Sequence, residues 1–154
     1  QKFREVNGGQ DPVRNFVTLH ENCRLFLHEF WANYQYKHEF NPPHWHGGLY
    51  SFVIWMKIPY SWHEQVQLPQ FQTTKLEDRK AGMFEFEYAD TRGETRSLSY
   101  QLSPDFEGCM CFFPAWMRHA VYPFFDTDEE RVSISGNVWY DTGTPTTKGK
   151  GFGL

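Results

Sequence analysis

Two histidines stand two residues apart in the stretch Asn-Pro-Pro-His-Trp-His-Gly-Gly, residues 41–48. Side chains alternate along extended backbone, so His44 and His46 at i and i+2 project to one face. That brings two neutral imidazole nitrogens within reach of a single ion, and imidazole suits iron, zinc, copper and nickel alike. Coincidence is the competing explanation, because the chain carries seven histidines. The flanking proline and glycine pairs put these two at a strand end rather than in mid-core. A third imidazole, His119, follows Gly-Cys-Met-Cys-Phe-Phe-Pro-Ala-Trp-Met-Arg at the start of a late strand. It can close a triad from across a β-domain, or simply bond to a backbone carbonyl. Beyond it comes Arg-Val-Ser-Ile-Ser-Gly-Asn, where Arg131, Ser133 and Ser135 share one strand face. An inward arginine is costly to bury without an anion. Given one, its planar fork grips a carboxylate through two parallel bonds and the Ser133 hydroxyl adds a third. The alternative is an edge arginine paired with Asp126, Asp128, Glu129 or Glu130.

The elements that must position these groups are mostly strands. Residues 1–17 are turn-rich, with Asn-Gly-Gly-Gln-Asp-Pro and little periodicity. Thr18 and Glu21 have capping-box spacing, and Leu19, Cys23, Phe26, Phe30 and Tyr34 recur at three- and four-residue steps. This predicts a helix over 18–34. A β pattern runs over 36–141: apolar 49–58, alternating 82–90, then 96–103, 109–114, 115–124 and 131–140, with turns between. Residues 60–80 are polar and long for a plain connection, which suggests a substrate lid. The glycine- and threonine-rich 142–154 reads as a loose tail. One or two N-terminal helices followed by about eight short strands make the chain mainly β, a sandwich or barrel of which the jelly roll is one form.

Bulk properties narrow the classes. The 154 residues suit a single domain, 1–154. Net charge is −4 and the pI about 6.0, so nothing advertises a nucleic-acid or membrane surface. Apolar runs of about eight residues are far short of the ~20 that span a bilayer. Cys23, Cys109 and Cys111 form no disulfide framework and fit buried, reduced thiols in a cytoplasmic protein. There is no phosphate-binding glycine loop and no strand–helix alternation.

The order His-x-His, then Phe-Phe-Pro-Ala-Trp-Met-Arg-His-Ala-Val-Tyr-Pro, then Glu-Arg-Val-Ser-Ile-Ser-Gly-Asn resembles the Fe(II)- and 2-oxoglutarate-dependent oxygenase superfamily over about 38–141. The likeness is closest to small oxygenases of marine phages and related bacteria. It implies a double-stranded β-helix, or jelly roll, and location in the cytoplasm, a host's if phage-encoded. It also implies hydroxylation of a substrate coupled to conversion of 2-oxoglutarate and dioxygen to succinate and CO2. His44 falls on the first metal ligand, His119 on the distal one, and Arg131 with Ser133 on the grip for the 2-oxoglutarate C5 carboxylate. The chain departs at His46, where the superfamily has an acid. Three shells are open: His46 as third ligand, which we favour; His46 as first ligand with Gly48 in the acid's place; or an acid from elsewhere such as Glu39. Trp45, Tyr50, Trp116 and Tyr122 either wall a pocket or belong to the core, and Asn137 is in phase to orient His119 or the co-substrate. A small-molecule or peptide substrate is expected, without nucleic acid or membrane. Two rivals are a three-histidine cupin-type dioxygenase needing no 2-oxoglutarate and a non-catalytic jelly-roll binding module. The first leaves Arg131 and Ser133 unexplained.

Overall fold

A computed structural model describes residues 24–141. Its eight strands are β1 Arg24–Gln35, β2 Asn41–His44, β3 Tyr50–Lys57, β4 Met83–Ala89, β5 Thr95–Gln101, β6 Met110–Pro114, β7 Arg118–Val121 and β8 Arg131–Asp141. One short helix, α1 Trp62–Gln65, lies between β3 and β4. The strands form two four-stranded sheets in the orders β1-β8-β3-β6 and β2-β7-β4-β5, with every pairing antiparallel. Among the described residues no helix is long and apolar enough to cross a membrane.

The alternation in the sequence explains which faces meet. Phe84 and Phe86 of β4 point inward with Val53 and Trp55 of β3 and Phe113 of β6, and Ile58, Tyr60, Leu102 and Phe124 complete the cluster. The rings pack edge to face, Phe84 on Phe86 at 5.0 Å between centroids and Phe86 on Phe113 at 4.8 Å. Each such ring stabilises the fold by roughly 1.5–3 kcal/mol on burial.

Residues 24–34 of the expected helix are strand; 18–23 lie outside the described residues. The misreading has a physical source. A four-residue repeat such as Phe26, Phe30 and Tyr34 is one helical turn but also two strand periods. A register shift between Leu27 and Glu29 interrupts the plain alternation that would have separated the two. Eleven residues of β1 pair with β8, so long-range hydrogen bonding overrides the local spacing. The connection at 60–80 is also more ordered than a plain loop, carrying α1 and 3-10 turns at Pro69–Phe71 and Leu76–Asp78. Trp62 and Val66 pack on Met83, on the side of β4 away from Phe84 and Phe86. The segment therefore sheathes the outer face of one sheet. Of the cysteines expected to be buried and reduced, Cys109 and Cys111 are free thiols, but Cys109 is exposed and Cys111 only half-buried, and Cys23 lies outside the described residues.

Candidate metal centre

The three histidines converge. His44, the last residue of β2, is the direct cross-strand partner of His119 on β7, and their ring centroids are 4.3 Å apart. His46 lies just past the end of β2, where its N–H donates to the Ala115 carbonyl at 2.9 Å and ties this loop to the β6–β7 turn. Its ring is 5.1 Å from His44 and 5.0 Å from His119. Gly48 makes the following bend possible: its φ is +108, and a Cβ there would meet the Trp139 ring at 2.7 Å.

One nitrogen from each ring lies within 4.8 Å of the other two. Two nitrogens each ~2.1 Å from one ion are at most about 4.2 Å apart, so an ion draws the trio in by about half an ångström. The rings are also oriented for it. Nδ1 of His44 sits 2.7 Å from the Pro42 carbonyl and Nδ1 of His119 sits 3.0 Å from the Met117 carbonyl. A carbonyl only accepts, so each Nδ1 carries the proton and each Nε2 keeps its lone pair for a metal. Burial pushes the His119 imidazole down to about 4, and burial followed by the nearby His44 also lowers His46. Both are neutral at pH 7, the form that ligates. The donor set fits a divalent transition ion.

Arg131 opens β8 opposite Gln35 of β1 and is only 4% exposed. Its Nη1 donates to the Tyr60 hydroxyl at 2.7 Å and its Nη2 donates to Gln35 Oε1. The Tyr60 hydroxyl in turn donates to the Gly82 carbonyl at 2.9 Å. Among the described residues no carboxylate forms an ion pair with Arg131; Asp128 and Glu129 pair instead with Lys37 and Lys57. Ser133 and Ser135 accept from the Asn33 amide at 3.5 and 3.1 Å. One cavity of about 590 Å³ is lined by all three histidines together with Arg131, Ser133 and Ser135. That volume lies within the ~300–1,000 Å³ of small-molecule sites. A buried guanidinium facing this space with only neutral partners suits a carboxylate ligand.

Several expectations need correcting. Trp45, Tyr50, Trp116 and Tyr122 do not line the cavity, whose aromatic walls include Trp31, Trp55, Phe84 and Phe113. Trp45 and Trp116 are exposed, Tyr50 is buried against Phe112, and Tyr122 bonds Glu85. Asn137 does not touch His119; it accepts from Ser51 Oγ at 2.7 Å and donates to Glu29. Glu39 lines the cavity, but its carboxylate accepts from the Tyr36 N–H at 2.8 Å, and no carboxylate joins the imidazoles among the described residues. The 60–80 segment reaches the site only through the Tyr60 hydroxyl behind Arg131. Sequence reasoning missed Tyr60, Gln35 and Asn33. The alternating Trp31, Asn33, Gln35 was the available signal for the last two.

Comparison with curated proteins finds no match to the chain. A family model described as "Putative 2OG-Fe(II) oxygenase" matches residues 29–137, a span that takes in every residue of the histidine trio and the Arg131–Ser133 pair. With well over half of its 154 residues so matched, the chain belongs to this 2OG-Fe(II) oxygenase family.

Proposed function

We propose that the protein is a non-haem Fe(II)- and 2-oxoglutarate-dependent dioxygenase that hydroxylates a small molecule or peptide. One observation carries this reading: three imidazoles able to share an ion line the same cavity as a buried guanidinium that has no acidic partner among the described residues. The strand orders β1-β8-β3-β6 and β2-β7-β4-β5 support a jelly roll, in which such a cavity lies between the sheets. Iron and 2-oxoglutarate, when bound, supply dioxygen activation coupled to decarboxylation, with release of succinate and CO2.

The chain's own residues supply placement. His44, His46 and His119 hold the iron through nitrogens already freed by the Pro42 and Met117 carbonyls on two of them. Arg131 binds the far carboxylate of 2-oxoglutarate by its planar fork, and Ser133 adds a hydroxyl. Tyr60 and Gln35 hold that fork in place. The aromatic wall of Trp55, Phe84 and Phe113 keeps one side of the cavity dry, which strengthens every polar contact inside. The volume beyond a bound five-carbon diacid is left for the substrate.

The test is succinate formation from 2-oxoglutarate by iron-loaded protein under air. We expect it to require both iron and 2-oxoglutarate. Arg131→Ala should raise the 2-oxoglutarate requirement roughly 10–100-fold, as for loss of a charged hydrogen bond of about 1.5–3 kcal/mol, with metal content near normal. Among the described residues no carboxylate joins the three imidazoles, which favours one rival, a three-histidine dioxygenase that uses dioxygen alone. Oxygen uptake with a substrate but indifferent to 2-oxoglutarate would select it.

A further inference from the structure

β1 lays a polar row along the cavity, and its hydrogen bonds run in one direction. Trp31 Nε1 donates to Asn33 Oδ1 at 3.1 Å. An indole N–H only donates, so the amide atom it meets is the oxygen, and the amide nitrogen is left facing β8. There it donates to Ser135 Oγ at 3.1 Å and, more weakly, to Ser133 Oγ at 3.5 Å. Each serine oxygen is thereby used as an acceptor, and among the described residues neither hydroxyl hydrogen meets an acceptor of its own. Ser135 is only 9% exposed and lines the cavity with Ser133 and Arg131. A buried donor without an acceptor destabilises the empty fold, so the Ser135 hydroxyl, like the Arg131 guanidinium, suits a ligand oxygen.

The two donors stand at opposite ends of the wall. Arg131 pairs with Gln35, to which its guanidinium donates, and Ser135 pairs with Trp31, whose ring lies 5.6 Å from that of His46. Four residues of strand separate these rows by about 13 Å. A hydrogen bond of about 2.8 Å at each end leaves roughly 7 Å between ligand oxygens. Four zigzag carbon–carbon bonds of about 1.5 Å, with a carboxylate oxygen at either end, fill that length. Resting on the co-substrate reading above, we infer that Ser135 binds the carboxylate nearer the imidazoles while Arg131 and Ser133 hold the far one. The wall thus selects a five-carbon diacid over shorter and longer ones. Asn33, oriented by Trp31, is the positioning residue that turns the Ser135 hydroxyl into the cavity.

The test titrates full-length protein, iron-loaded under anaerobic conditions and metal-free, with succinate, glutarate and adipate. Selection by the wall is read in the metal-free form, where no ion can measure length. Wild type should bind glutarate about 10-fold more tightly than the other two, and Ser135→Ala should lose that preference. Ser135→Thr keeps a hydroxyl and should retain it. Asn33→Asp leaves Ser135 intact but offers its hydroxyl an acceptor outside the cavity, so the preference should vanish there too. The added charge repels all three dianions alike and leaves their ratio to the hydroxyl. Equal or no binding of the three by wild type overturns the proposal, as does a wild-type preference in Ser135→Ala or an equal loss for all three diacids. A wild-type preference in Asn33→Asp overturns the role of Asn33. If iron-loaded wild type does not bind 2-oxoglutarate, the co-substrate reading falls and this inference with it. If it does and Arg131→Ala does not, an unaffected Ser135→Ala removes only the role of Ser135.

Discussion

Arg131 shows how a residue can serve a ligand at the expense of the empty fold. Its guanidinium is 4% exposed and meets two neutral oxygens, from Tyr60 and Gln35. Burial pushes the Tyr60 phenol up despite the adjacent positive charge, so its hydroxyl stays a donor to Gly82 while accepting from the arginine. Two neutral hydrogen bonds do not repay the desolvation of a full charge, which costs several kcal/mol. The missing part is an anion. Replacing Arg131 with methionine fills similar space without a charge to desolvate. The urea midpoint of the metal- and ligand-free Arg131→Met protein should therefore equal or exceed that of wild type. Wild type should gain about 2.7 kcal/mol from 2-oxoglutarate at a hundred times its dissociation constant. Arg131→Met should gain almost nothing. A large loss of stability in the free Arg131→Met protein would show that the arginine holds the fold rather than a ligand.

β1 and β8 together build the wall on which that chemistry hangs. Their register sets Glu29, Trp31, Asn33 and Gln35 against Asn137, Ser135, Ser133 and Arg131, which puts an acid at one end of the wall and a cation at the other. Close approach of the two strands depends on Gly136. A Cβ there would meet the Glu29 carbonyl oxygen at 2.6 Å and the Phe52 ring at 2.7 Å. The oxygen is backbone and cannot swing aside, so Gly136→Ala must push β1 outward. Overpacking of this kind costs about 1–3 kcal/mol. A urea titration should show that loss, with weaker 2-oxoglutarate binding because Gln35 moves away from Arg131. The same strand marks where the sequence stopped being readable. β3, β4, β6 and β8 fall within a residue or two of their apolar or alternating runs, and the register shift in β3, between Trp55 and Lys57, comes only at its end. β1 hides its period behind the shift at Leu27/Glu29, and the helical misreading concealed its inward row. The histidines and Arg131 were legible because few residue types ligate metals or grip carboxylates. Tyr60 and Gln35 were not, since each meets Arg131 only after folding joins positions 71 and 96 residues apart.

At the scale of the molecule, two devices join parts that sequence keeps separate. The first is Glu85, which faces away from the core beneath the 60–80 segment. Burial alone would raise its carboxyl, but hydrogen bonds from Lys80, Ser99 and Tyr122 outweigh that and hold it below the ordinary value. A depressed folded pKa contributes stability that is complete above the unfolded value of about 4.3 and is lost as pH falls through the folded one. Urea midpoints should therefore drop below about pH 4.3, and Glu85→Gln should flatten that drop while costing stability at neutral pH. The second device is the histidine trio. β2 and β1 are edge strands of different sheets, and β2 is only four residues long. Its register with β7 slips between Asn41 and His44, so few ladder bonds hold it. An ion shared by His44 and His119 clamps β2 to β7, and His46 carries the clamp to Trp31 on β1. Binding to the folded state alone stabilises it by mass action, so chelation should lower the melting temperature and a saturating divalent ion should restore it. The change should also be local. Amide exchange should quicken on chelation in residues 41–47 and 118–121, while β5, at the far edge of the same sheet, keeps its protection. Uniform exchange across both sheets would mean that the ion supports the whole fold rather than this corner, and identical exchange with and without metal would mean that the three imidazoles hold no ion at all.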